Sequence, residues 1–376
     1  MPSTVVLTPE NAQELIQIIT QERLRQGGVC DLNHIDVSNI IDFSFVFQSS
    51  SFNGNISRWN VGNARSMTRM FQDSEFTGDI SNWNVSNVTN MSAMFNRAKF
   101  NGNISRWKTS ALVQTTEMFE GSDFDGDLSL WDVSKVEDMG AMFKDSAFTG
   151  KNGGIAKWNT SKVRSMSMMF QATHFNEDIF NWNVSSLVGA KRMFAQTRFN
   201  RDISQWDVRQ IRDACSMFAQ SAFTQNISTW QLTGAVLLQG MFSGAAFAGD
   251  LSKWRLHKGA NPTGMFSANF EGTLPVKEAG VSESYLSMLK GEKNLYDYLA
   301  RMPFGPVHLS ILLELEEGST PFWSTPQDHA WSKEYQRMGL DMGMTPEDIR
   351  ASASEVYALK KQVPLLGVEF GDASAA

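Results

Sequence analysis

The chain has 376 residues, room for two or three ordinary globular domains, with 42% hydrophobic and 19% charged residues and a net charge of −7. Two cysteines, Cys30 and Cys215, exclude a disulfide framework and a four-thiolate zinc site, and they read as buried free thiols. No apolar stretch is long enough to cross a membrane as a helix, and no Lys/Arg block marks general nucleic-acid binding.

In chain order, the start MPSTVVLTPENAQ has neither a basic nor a long apolar region. No signal peptide is expected, which points to an intracellular or particle-associated protein. Thr8-Pro9-Glu10 supplies a capping residue, a helix-starting proline and an early acid. A helix is predicted from there through about Leu24, with Leu15, Ile18 and Ile19 on its apolar side, ended by Gly27-Gly28. Residues 1–32 are thus predicted to be an N-terminal helical cap.

Residues 33–272 repeat. Trp falls at 59, 83, 107, 131, 158, 182, 206, 230 and 254, and the Phe of a Met-Phe pair at 71, 95, 119, 143, 170, 194, 218, 242 and 266, with Val46-Phe47 as a degenerate first copy. The period is 24 residues except across FTGKNGGI, 148–155, where three extra residues form a Gly/Asn-rich insertion. Such a skew explains 26 Phe, 20 Met and 11 Trp beside 5 Tyr. In the copy at 79–95, Ile80, Trp83 and Val85 carry the I-x-x-W-x-V spacing of a leucine-rich-repeat strand, and Trp83 and Val85 share one strand face. Val88, Met91, Met94 and Phe95 suit one stripe of a short helix that Ser86 or Asn87 is placed to cap. A position that is always small follows (Ser74, Ala98, Ser122 and onward), taken as a close approach between coils, then a second Phe. The predicted fold is an α/β repeat solenoid, leucine-rich-repeat-like: about ten coils with a parallel strand face and short helices opposite.

The run F-x-G-D-I-S-x-W-x-V-S-x-V-x-x-M-x-x-M-F, over residues 33–271, resembles the BspA-like leucine-rich-repeat surface proteins, including the mycoplasma lipoprotein type. That resemblance implies a non-enzymatic solenoid for adhesion, display or protein binding, of a kind found on bacteria, in protists and algae, and in large DNA viruses. A component of a large assembly such as a virus particle is one expectation from it; a surface adhesin for host protein or glycan is the alternative. A lipobox is lacking.

Residues 273–376 leave the repeat and are predicted to be a mainly helical docking segment, best at 282–289, 294–302 and 345–362, with 308–317 ambiguous between helix and strand. They hold nine basic and fifteen acidic residues, a net −6, against −2 for 1–32 and +1 for 33–272.

Nucleotide-binding, serine-hydrolase and zinc-protease motifs are missing, and the five histidines lie in different segments, so neither enzyme activity nor a cofactor is expected. Asp328, His329 and Glu334 are the tail's only hint of chemistry and read as a solvated face. The column Asn55, Asp79, Asn103, Asp127, Asp178, Asp202, Asn226 and Asp250 reads as side-chain hydrogen bonding along the stack and to loop backbone, with a calcium ladder as the sharper alternative. The candidate partner-binding surface is the outward strand face flanking Trp. It comprises Arg58, Asn60, Asn82, Asn84, Arg106, Lys108, Asp132, Lys157, Asn159, Asn181, Asn183, Asp207, Arg209, Lys253 and Arg255. It is more basic than the chain and suits an acidic partner, even the acidic tail of a neighbouring copy, set against plain solvated polarity.

Overall fold

The computed structural model describes residues 6–152, 154–256, 260, 264–266 and 272; the predicted helices and docking role of 273–376 lie outside them. Helix α1 spans Ala12–Gln26. Its N-cap is Asn11, not Thr8, because the Asn11 side chain accepts the Glu14 N–H at 3.0 Å. Gly27, at φ 92°, closes it with its own N–H on the Arg23 carbonyl. Leu15 and Ile19 face the first coil, as their spacing predicts. Glu22 is buried beside them, bonded to Arg25 at 2.6 Å and to Gln26, with His34 at 3.7 Å.

The coils stack behind α1 in the predicted register. Each Met-Phe ring lies nearly parallel to the next: Phe71–Phe95 at 5.6 Å, Phe119–Phe143 at 5.7 Å, Phe242–Phe266 at 5.6 Å. The second Phe of each coil folds onto the first, as Phe148 does on Phe143 at 4.0 Å, and makes its own ladder. The third ladder is Trp, with Trp182–Trp206 at 6.5 Å. Offset parallel stacking is a favourable arrangement for such rings. All three ladders belong to one buried cluster running from Leu15 to Phe266. Across the insertion the register survives. Trp158 donates its indole N–H to Leu128 O, 30 residues back, where Trp131 reaches Ile104 O, 27 back.

Inside the coil the prediction of strands and helices is overturned. Among the described residues α1 is the one helix and no strand forms; neighbouring coils share isolated parallel bridges such as Ser66↔Asn90↔Gln114. The leucine-rich-repeat strand fails because two turns interrupt it. Asn55 Oδ1 takes the Ser57 N–H and Asn60 Oδ1 the Gly62 N–H, one on each side of Trp59. Trp59 N–H then closes on Ile56 O and Ala64 N–H on Val61 O, both i to i−3.

The expected helix at 88–95 fails for a different reason. Alternate N–H groups leave the coil: Met91, Ala93, Phe95 and Arg97 donate to Gln114, Thr116, Met118 and Glu120 of the next one. The residues between them close short turns instead (Met94 to Met91, Asn96 to Ala93). A left-handed residue recurs every four positions, at Arg69 and Asp73, Ala93 and Arg97, Ala141 and Asp145. A continuous α-helix cannot contain that pattern. The stack is therefore built of turns hydrogen-bonded from coil to coil.

Candidate interaction surface

Each Trp anchors a corner from within. Trp131 is 4% exposed and its ring lies 6.2 Å from Trp107. The residues on either side of each Trp point out to solvent. Every member of the predicted surface is exposed except Asp207, which is half-buried. They occupy a column of turns, not a strand face, so the expected alternation holds locally while its cause differs.

Where the residue after Trp is Asn or Asp, it has a structural task. Asn60, Asn84, Asp132, Asn159, Asn183 and Asp207 each accept the N–H of the residue two on, at 3.0–3.2 Å. The Ser134 hydroxyl and N–H hold the Asp132 carboxyl below its ordinary range. The Arg209 guanidinium does the same for Asp207, at 2.7 and 2.8 Å, so those two charges neutralise one another. Arg58, Arg106, Lys108, Lys157, Lys253 and Arg255 form no ion pair among the described residues. Between Arg106 and Lys157 stands Leu130, 71% exposed, an apolar point amid cations.

The Asn/Asp column before Trp does the same work. Oδ1 of Asn55, Asp79, Asn103, Asp127, Asp178, Asp202, Asn226 and Asp250 accepts the N–H two residues on, at 2.8–3.1 Å. One acceptor oxygen suffices for this turn, so Asn and Asp interchange freely. Along the stack this column contributes the bond from Asn55 Nδ2 to Asp31 Oδ2 at 3.3 Å, and a second column carries a regular series. Asn53, Asn101, Asp125, Asn176 and Asn200 accept the N–H of the residue one coil on. Among the described residues no group of three or more His, Cys, Asp or Glu is placed to hold a metal ion.

The always-small column has a role its sizes did not reveal. Ser122, Ser146, Thr173, Thr197 and Ser221 are buried hydroxyls that donate to the Phe carbonyl three back and accept the Phe N–H two on. On the neighbouring corner an open groove of about 450 Å³ is lined by Arg65, Ser66, Thr89, Asn90, Val113 and Gln114. No described helix is long and apolar enough to cross a membrane.

A constant aromatic interior bearing outward turns of changing chemistry defines a tandem-repeat protein. The family described as "Mycoplasma protein of unknown function, DUF285" matches residues 21–125, 119–222 and 192–279, and the chain belongs to it. No curated protein and no solved structure matches the chain.

Proposed function

We propose that this repeat protein is a non-enzymatic scaffold that binds another protein through the exposed residues flanking the tryptophan ladder. The observation that carries the reading is a contrast within each coil. The inward columns keep one side chain from coil to coil, Trp at the corner and Phe after Met. The outward neighbour of Trp changes from Arg58 to Asn82, Arg106, Leu130, Lys157, Asn181, Gln205, Thr229 and Lys253. Uniform packing with variable exposed chemistry is what an extended recognition surface requires. The excess of unpaired Lys and Arg there favours an acidic partner.

Reversing Arg106, Lys108, Lys253 and Arg255 to Glu is expected to weaken capture of the native partner about tenfold or more; unchanged capture rejects the surface. The resemblance of the repeat to BspA-like surface proteins favours a second reading, a surface adhesin for host protein or glycan. Recovery of the native protein inside cells or within particles supports the scaffold; digestion by protease added to intact cells supports the adhesin.

A further inference from the structure

Charge is unevenly distributed along the stack. Residues 151–212 carry ten Lys or Arg and four Asp or Glu, a net +6, whereas the whole of 33–272 nets only +1. All ten cations are exposed. Of these, Arg209 alone has an ion-pair partner among the described residues. Earlier coils behave differently and compensate their charges from rung to rung. Arg97 meets Asp73 at 2.7 Å, Lys99 meets Asp123 at 3.6 Å and Lys144 meets Glu120 at 2.5 Å.

The core of the basic belt lies along one edge. Arg164, Val188 and Arg212 are successive rungs: Val188 N–H donates to Arg164 O and Arg212 N–H to Val188 O, both at 2.8 Å. Lys191 and Arg192 adjoin them on the Val188 coil, separated from Val188 and Gly189 only by the inward Ala190. Glu137 is the rung before Arg164 on this edge and Asp213 follows Arg212, yet neither forms an ion pair among the described residues, and the excess of like charge that remains favours an anionic occupant.

We propose that the occupant is the acidic stretch of this protein's own C-terminal segment, residues 302–332. That stretch contains Glu314, Glu316, Glu317 and Asp328 and no Lys or Arg. Reach is ample. Thirty residues separate 272 from 302, a span of up to about 100 Å. The Phe ladder places the Lys191 coil about 17 Å from Phe266. Lys157 and Arg209 also belong to the tryptophan-flanking surface, but the core of the belt, Arg164, Lys191, Arg192 and Arg212, shares no residue with it, so reversing Arg164 and Arg212 tests this docking separately from the partner-binding surface.

The test is zero-length carbodiimide coupling of lysine to carboxylate in the full-length protein, read by mass spectrometry. Amides are expected from Lys191 and Lys162 to Glu314, Glu316 or Glu317, falling severalfold at about 1 M salt, where screening shortens to about 3 Å. Arg164→Glu with Arg212→Glu, both at exposed positions, is expected to abolish them. Arg164→Lys is expected to retain them and add a new one at 164. Mixing isotopically labelled and unlabelled copies assigns the amides within or between chains, and either supports docking. Coupling of Lys191 only to carboxylates of 6–266, amides that persist in the double charge reversal, or protection of these lysines by co-purifying nucleic acid overturns the proposal.

Discussion

Replacing Trp131 tests the stack at its middle. Its indole N–H donates to Ile104 O at 3.0 Å, and its ring faces Trp107 at 6.2 Å and Phe119 at 6.4 Å. Trp131→Phe keeps an aromatic ring but loses that hydrogen bond. Ile104 O still receives the Trp107 N–H at 3.2 Å, so the carbonyl is not stranded. The cost is therefore that of one ordinary hydrogen bond, about 1 kcal/mol, plus about 1 kcal/mol for the smaller apolar contact. Trp131→Ala opens a cavity as well and is expected to cost about 3–5 kcal/mol. Urea denaturation of the full-length protein, followed by circular dichroism, measures both. Equal losses for Phe and Ala, or a loss below about 0.5 kcal/mol for Phe, would refute a hydrogen-bonded ladder.

Other consequences are as direct. Arg69 sits at φ 54°; Arg69→Gly is expected to be neutral or stabilising by up to about 1 kcal/mol, and the β-branched Arg69→Val destabilising by about 1–2 kcal/mol. The opposite order in thermal melts refutes the turn-built coil. The Asp36, Asp79 and Asp132 carboxyls are held low mainly by the N–H or hydroxyl of the Ser two residues on. A carboxylate with a lowered folded pKa stabilises above the unfolded value of about 4 and loses that contribution as pH falls through the folded value. The triple Asp→Asn variant keeps the acceptor oxygens but loses the charge, so its melting temperature is expected to lie slightly below the parent at pH 7 and to fall less between pH 5 and 3; identical acid profiles contradict this. Burial foremost, aided by Asp213, pushes the Cys215 thiol up to about 12. Relative to the ordinary 9.0, its alkylation at pH 8 is expected to be about a thousandfold slower, and labelling at the rate of a free thiol refutes it.

The sequence disclosed the interior well and the backbone poorly. Period, insertion and three aromatic ladders follow from where Trp59 to Trp254 and Phe47 to Phe266 fall, because large apolar side chains must be buried together whatever path the chain takes between them. The same spacing does not say how that path is made. I-x-x-W-x-V places Trp83 and Val85 on one side, but a turn achieves this as well as a strand does. The deciding signal was present in the recurrent Asn/Asp-x-Ser triplets, 55–57, 79–81, 84–86 and 132–134. Asp79 and Asp132 stand where Asn is found in other copies, which marks these triplets as turns. The stripe at Val88 to Phe95 misled because 3-3-1 spacing also fits short turns whose alternate N–H groups bond to the next coil. The outward candidates are exposed, apart from the half-buried Asp207, but the belt at Arg164, Lys191, Arg192 and Arg212 is not legible in the sequence, because its members lie on three different coils and adjoin only once the coils stack.

That stacking also gives the particle a direction. From Phe43 to Ser49 and in the corresponding stretch of later coils, outgoing N–H groups point toward the C-terminal end and the carbonyls that receive them point back. The two sides of a coil along this track are therefore chemically unlike: the carbonyls of Ser66, Thr68, Met70 and Gln72 face the preceding coil, and the N–H groups of Met67, Arg69, Phe71 and Asp73 face the next. Two copies joined through this track across a twofold axis would set donor against donor or acceptor against acceptor. Only head-to-tail addition continues it, so the polarity of any filament built this way is already written in a single coil.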